Sequence, residues 1–119
     1  MSNAKNIIVC GGRDYNDMRA VYAALDKMAA KSEIAMIIQG GADGADKLAF
    51  AWAFQRCVPC LSVPADWGQH KRAAGPIRNR KMLEYVVDGV VAFPGGDGTA
   101  DMIRQAKEAG VPVWEPYRG

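Results

Sequence analysis

Asn6-Ile7-Ile8-Val9-Cys10-Gly11-Gly12-Arg13-Asp14-Tyr15 is an apolar run that breaks on two glycines, and the architecture follows from that break. Asn6 to Cys10 is short and rich in β-branched residues, which suits a buried strand. Beyond the glycines, Met18, Val21, Tyr22, Leu25, Met28 and Ala29 recur along one face of a helix. The same pairing repeats down the chain. Ile34 to Gln39 reads as a second strand, and Ala45, Leu48, Ala49, Trp52 and Ala53 form the stripe of a second helix. Val58 to Val63 is a third strand, Pro76 to about Val86 a helix, and Gly89 to Phe93 a fourth strand. Met102, Ile103, Ala106 and Ala109 line a last helix, which Gly110 can end before a fifth strand, Val111 to Trp114. Strict strand–helix alternation implies parallel pairing, and right-handed crossovers put helices on both faces. The expectation is an α/β fold of three layers, α/β/α, around an open parallel sheet of about five strands. Every strand-to-helix loop then opens on one edge of that sheet.

At 119 residues and 50% hydrophobic, the chain reads as one domain spanning 1–119. A formal charge of +2 and a pI near 8.5 are too mild for a dedicated nucleic-acid or anionic-membrane binder, so nucleic acid is not the expected partner. No apolar run approaches the roughly 18 residues that cross a bilayer, and the N-terminus lacks the layout of a signal peptide. The expected location is the cytoplasm, with no membrane partner. Ser2-Asn3-Ala4 reads either as an expression scar or, behind Met1, as part of a native start. Cys10, Cys57 and Cys60 are too few for a disulfide framework. Cys57 and Cys60 have CxxC spacing but fall between a helix and a strand, where no helix N-terminus lowers a thiol pKa. Two small packed residues is the plainer reading. Zinc would need further ligands, and His70 is the sole histidine, with no catalytic partner visible in sequence.

Glycine crowds three strand-to-helix junctions: Gly11-Gly12-Arg13-Asp14-Tyr15, Gly40-Gly41-Ala42-Asp43-Gly44-Ala45-Asp46 and Pro94-Gly95-Gly96-Asp97-Gly98-Thr99. One such loop could be only a tight turn. Three on one edge suggest backbone amides and helix N-termini turned toward a phosphate. None fits the Walker pattern or the full dinucleotide fingerprint. Thr99 can cap its helix and donate its hydroxyl to a phosphate. Arg78 and Arg80 can grip phosphate oxygens as forks, whereas Lys71 and Arg72 read equally as a solvated face. Arg13 either reaches the same ligand or pairs with Asp14 or Asp17. Asp46 stands in a first helical turn, where the dipole favours a carboxylate in any protein, and could also hold a ribose hydroxyl. Trp67 offers a face for a base or packs over the sheet edge. The stretch Pro64 to Gly75 reads as irregular, either a functional loop or a surface excursion.

Taken with Pro64-Ala65-Asp66-Trp67, Ala74-Gly75-Pro76-Ile77-Arg78-Asn79-Arg80 and Ala92 to Met102, these loops resemble the SLOG superfamily, and within it the YspA-like, cpYpsA-related branch. The resemblance covers nearly the whole chain. It implies a Rossmann-like sheet, a nucleotide or nucleotide-derived ligand, no firmly assigned reaction for this branch, and a homo-oligomer as a plausible assembly; no cofactor is expected. More distant similarity runs to the Smf/DprA DNA-processing proteins and to the Lonely-guy phosphoribohydrolases. The latter carry Pro-Gly-Gly-x-Gly-Thr-x-x-Glu with an upstream Arg-Lys pair. Pro94 to Thr99 and Arg80-Lys81 fit, but Met102 stands where the catalytic glutamate belongs, and Asp101 comes one residue early, about 100° away on a helix. Asp43 stands where many relatives have arginine, and a carboxylate there would repel phosphate.

The first expectation is therefore a binding module for a nucleotide-like small molecule. Gly11, Gly12, Arg13, Gly40, Gly41, Asp46, Trp67, Arg78, Arg80, Pro94, Gly95, Gly96, Gly98 and Thr99 are its candidate contacts. The second is an N-glycoside hydrolase in which Arg80 anchors phosphate and Asp101 stabilises the cationic sugar or activates water. The third is single-stranded DNA binding through the local basic stretch. No metal site is expected, although Asp14, Asp43, Asp46, Asp97 and Asp101 could bring carboxylates near the loops.

Overall fold

A strand buried on both faces sends alternate side chains into two cores, and Ile7, Ile8 and Val9 do this. Ile7 and Val9 pack with Val21, Leu25 and Trp52, while Ile8 packs with Met82, Met102 and Ala106. The computed structural model describes residues 4–118. The start of the stretch read as a scar or native start, Met1 to Asn3, lies outside them. In chain order the elements are β1 (Lys5–Cys10), α1 (Met18–Lys31), β2 (Ile34–Gln39), α2 (Ala45–Gln55), β3 (Cys60–Ser62), α3 (Trp67–His70), α4 (Ala74–Leu83), β4 (Gly89–Ala92), α5 (Asp97–Glu108) and β5 (Val113–Trp114). All pairings are parallel, in the order β3-β2-β1-β4-β5. Helices α1 and α2 cover one face, and α4 and α5 the other. This is a Rossmann-like α/β fold.

The topology makes the site. From β1 the chain steps outward to β3, then returns across the sheet to β4 on the other side of β1. The loops after β1 and β4 lead to helices on opposite faces, so a crevice opens at the carboxyl ends of these strands.

Several boundaries differ from the sequence pattern, each for a local reason. The stretch expected to be irregular holds α3, whose N-cap Asp66 accepts from the Gln69 amide, and a 3₁₀ turn, Lys71–Ala73, which runs directly into α4. Helix α4 thus starts at Ala74, and Pro76 falls in its first turn, where a missing N–H costs no intrahelical bond. Its end comes at Leu83 rather than near Val86, because Asn6 captures the Val86 carbonyl and draws the chain toward β4. Strand β3 is shorter than 58–63, since the Val58 amide is spent on the Ala53 carbonyl at the end of α2. Likewise the Val111 amide bonds to Ala106 and delays β5 to Val113. Gly110, at φ +77°, ends α5 as its position predicts.

Candidate functional site

The three glycine loops are stitched together at the crevice by main-chain bonds. The Gly12 amide donates to the Pro94 carbonyl at 2.8 Å, and the Ala45 amide donates to the Gly12 carbonyl at 3.2 Å. Gly44 is required for this seam, because it sits at φ +73° and a Cβ there would strike the Gly12 carbonyl and Arg13. Above the seam lies a cleft of about 690 Å³, within the usual range for small-molecule sites.

One wall is built over Gly40. Arg78 reaches across from α4, with Nη1 donating to the Gly40 carbonyl at 3.0 Å and Nε donating to Asn79 Oδ1 at 2.9 Å. A Cβ at Gly40 would collide with Arg78 Nη1 and stand 2.9 Å from Asp46 Oδ2. Guanidinium and carboxylate therefore converge on one point, and only glycine leaves it open. Asp46 is 7% exposed and accepts from the Ala42 amide at 3.2 Å. Burial pushes its carboxyl up to about 6, opposed by the Ala42 amide and by Arg78 and Arg13. Burial likewise draws the Arg78 guanidinium below its ordinary value, with Asp46 pulling the other way. Cys10 lines the floor, and burial followed by the Asp46 charge pushes its thiol up to about 12. A thiol held so high is no nucleophile at neutral pH.

The opposite wall is the start of α5. Its N-cap is Gly96 and no side chain caps it. Thr99 does not cap the helix as its type suggested, because it lies inside the first turn, buried, with Oγ1 against Gly95. Gly96 and Gly98 line the cleft, and a Cβ on either would meet nothing within 4 Å. Packing does not demand glycine at these positions. At the mouth, the Arg13 guanidinium lies over the Trp67 ring, 5.2 Å from its centroid. One face of the ring proposed for a base is therefore occupied by a side chain.

Of the sequence candidates, Gly11, Gly12, Arg13, Gly40, Asp46, Trp67, Arg78, Pro94, Gly95, Gly96, Gly98 and Thr99 line this cleft. Gly41 does not, and its amide donates to Gln39 Oε1. Arg80 is exposed and lines a separate groove with Arg104 and Glu108 on the outer side of α4 and α5. Asp101 is also outside the cleft lining. Its carboxylate accepts from Asn79 at 3.0 Å, Gln105 at 2.7 Å and Arg104 at 2.6 Å. Burial alone would raise this carboxyl, yet those hydrogen bonds hold it below its usual range. Asp43 is exposed and also outside the cleft, so the negative charge there comes from Asp46, with Asp14 and Asp97 at the rim. Among the described residues, no three His, Cys, Asp or Glu side chains gather as a cation site.

Residues 5–70 match the YspA, cpYpsA-related SLOG family. The Gene 61 protein of Mycobacterium phage D29 is 33% identical over 117 residues, covering 92% of this chain and 94% of its own length. The chain belongs to the YspA, cpYpsA-related SLOG family. Membership supports a nucleotide-related binding or processing role. Among solved structures, DNA processing protein A (DprA) from Streptococcus pneumoniae superposes with a TM-score of 0.55 at 17% identity, over 92% of this chain. This chain spans 58% of that protein. Glycinamide ribonucleotide transformylase 1 from Symbiobacterium toebii gives 0.49 at 18% identity, over 93% of this chain and 63% of that one. The likeness to DNA processing protein A concerns the fold, and it lends no support to the expectation against nucleic acid. No helix among the described residues is long and apolar enough to cross a membrane.

Sequence reasoning gave no role to Asn79 and Tyr15. Asn79 is 3% exposed and donates to the Gly98 carbonyl at 3.1 Å, tying Arg78 to the start of α5. Tyr15 lines the cleft and stacks on Phe93 with ring centroids 5.4 Å apart. A buried asparagine directly after an arginine was the one available signal, since a buried amide needs both donors and acceptors nearby.

Proposed function

We propose that the switch-point cleft binds a nucleotide or nucleotide-derived phosphate ligand. The observation that carries this reading is the pair Gly96 and Gly98. They stand in and beside the uncapped first turn of α5, facing open space that no side chain fills. At Gly98, inside the helix, glycine is less favourable than alanine by up to about 1 kcal/mol. Close approach of a ligand to the backbone explains why it stands there. The free amides and positive dipole end of α5 then receive phosphate oxygens, with the Thr99 hydroxyl beside them. Arg78, held from behind by Gly40 and Asn79, presents its remaining N–H groups as a pre-oriented fork. Arg13 closes the mouth from Trp67.

Binding rather than N-glycoside hydrolysis is favoured because Met102 lines the cleft at the position of the relatives' glutamate, while Asp101 is spent on Asn79, Gln105 and Arg104. Calorimetry against a panel of mono-, di- and cyclic nucleotides tests the reading. Saturable binding that Arg78→Ala weakens at least tenfold is the expected result. A panel without saturable binding to the wild type would remove it.

A further inference from the structure

The charges that face the cleft are unequal, and this bears on which phosphate it takes. Arg13 and Arg78 supply two positive charges, and no lysine lines the space. Asp46 on the floor and Asp14 and Asp97 at the rim supply three carboxylates. The Asp46 carboxylate converges with Arg78 over Gly40, so an anion that reaches the fork also meets the carboxylate.

We propose that the cleft selects a phosphodiester, with one negative charge per phosphate, over a terminal phosphomonoester with two. This deepens the nucleotide-binding reading and rests on it. A single charge on the phosphate, together with Asp46, balances the two arginines. A second charge on the same phosphate leaves that inner set one negative charge in excess, with Asp14 and Asp97 at the rim adding to it, and the desolvation cost of an ion rises as the square of its charge. Burial raises the Asp46 carboxyl against the pull of Arg78 and Arg13, so an incoming dianion meets a carboxylate that water screens poorly. The groups facing Asp46 are Arg78 from α4, Arg13 from the first loop, Cys10 on β1 and Cys60 on β3. Neither thiol is an acid near neutrality, so Asp46 is the titrating member of the set.

The matched probes are adenosine 5′-monophosphate and its O-methyl ester, which differ by one charge at pH 7.5, together with methyl and dimethyl phosphate, which carry no base. Binding is read by calorimetry or by ¹⁵N chemical-shift titration. The expected result is a preference of roughly five- to tenfold for each diester over its monoester, narrowed or removed in Asp46→Asn. Lowering the pH from 7.5 to 5 should tighten diester binding to the wild type, since the diester itself does not titrate there. This second readout decides the matter if the variant does not fold. Tighter binding of the monoester at pH 7.5 would overturn the selectivity while leaving the nucleotide site standing. No binding of either probe, with no binding across the nucleotide panel, would overturn both. Phosphodiesters occur in small cyclic or dinucleotide ligands and in nucleic-acid backbones, and either source satisfies the selectivity. Comparing a dinucleoside monophosphate with a twelve-residue oligothymidylate separates them, because only the backbone source gains affinity with length and loses it steeply with salt.

Discussion

At the scale of single residues, backbone conformation and buried charge give two tests that need no ligand. Cys57 ends α2 at φ +56°, with its amide bonded to Phe54 and that of Val58 to Ala53. Gly110 ends α5 with the same two bonds, from Gly110 to Lys107 and from Val111 to Ala106. A left-handed conformation costs an L-residue about 1–2 kcal/mol and glycine almost nothing. Cys57→Gly should therefore stabilise the fold by about 1 kcal/mol, and Gly110→Ala should destabilise it comparably, as read from denaturant midpoints. The same geometry gives the CxxC spacing of Cys57 and Cys60 no helix N-terminus, because Cys57 follows the C-terminal end of α2, exposed rather than packed as expected, and burial raises the Cys60 thiol. Asp46 gives the second test. Its folded pKa of about 6 exceeds the unfolded value of roughly 3.9, so between these pH values the folded state holds a proton that the unfolded chain has released. Its contribution to stability thus falls as pH rises from about 4 to about 6, by on the order of 3 kcal/mol at most. The difference in unfolding free energy between Asp46→Asn and wild type should grow in favour of the variant between pH 4.5 and 7.5. A flat difference would mean that the carboxylate is better solvated than its burial implies.

At the scale of elements, the period of the sequence made most of the fold legible and the sense of each helix face hid part of the site. Long amphipathic segments such as α1 and α5 reveal themselves by recurrence every three to four residues. Helix α3, four residues long, is too short to carry a period. The basic stretch on α4 was harder to read, because Arg78 and Arg80 are neighbours in sequence yet about 200° apart on the helix. Arg78 faces the cleft and Arg80 faces the outer groove with Arg104. The step from Asp101 to Met102 repeats the lesson on α5, turning the methionine into the cleft and the carboxylate toward Asn79. Glycine content located the loops, but it could not say which glycines serve packing and which leave space. The structure separates them, and Gly98→Ala exploits the difference. With nothing within 4 Å of the added methyl, the ligand-free protein should be unchanged or more stable by up to about 1 kcal/mol. Nucleotide affinity should fall at least tenfold in calorimetry. Unchanged affinity would mean that no ligand approaches that turn.

At the scale of the whole molecule, parallel pairing puts the loops after β1, β2 and β4 at one end of the sheet and the reversal of strand order opens the crevice between them, while the two cores lie behind on either face. The cores determine global stability, and the loops are free to respond to a ligand without disturbing them. Binding to the folded state alone stabilises it by about 2.7 kcal/mol when the free ligand is at a hundredfold the dissociation constant. For a chain of this size that corresponds to a rise in Tm of roughly 10 °C. Hydrogen exchange should then divide into two responses. Amides of residues 11–15, 40–46 and 94–99, which open locally, should gain protection through direct contact. Amides of Ile8, Ile38 and Val90, buried in the central strands, exchange through global unfolding and should slow only by the global increment. If protection instead rose mainly along the outer groove of α4 and α5, where Arg80 and Arg104 lie, the ligand would belong to that groove and not to the switch-point cleft.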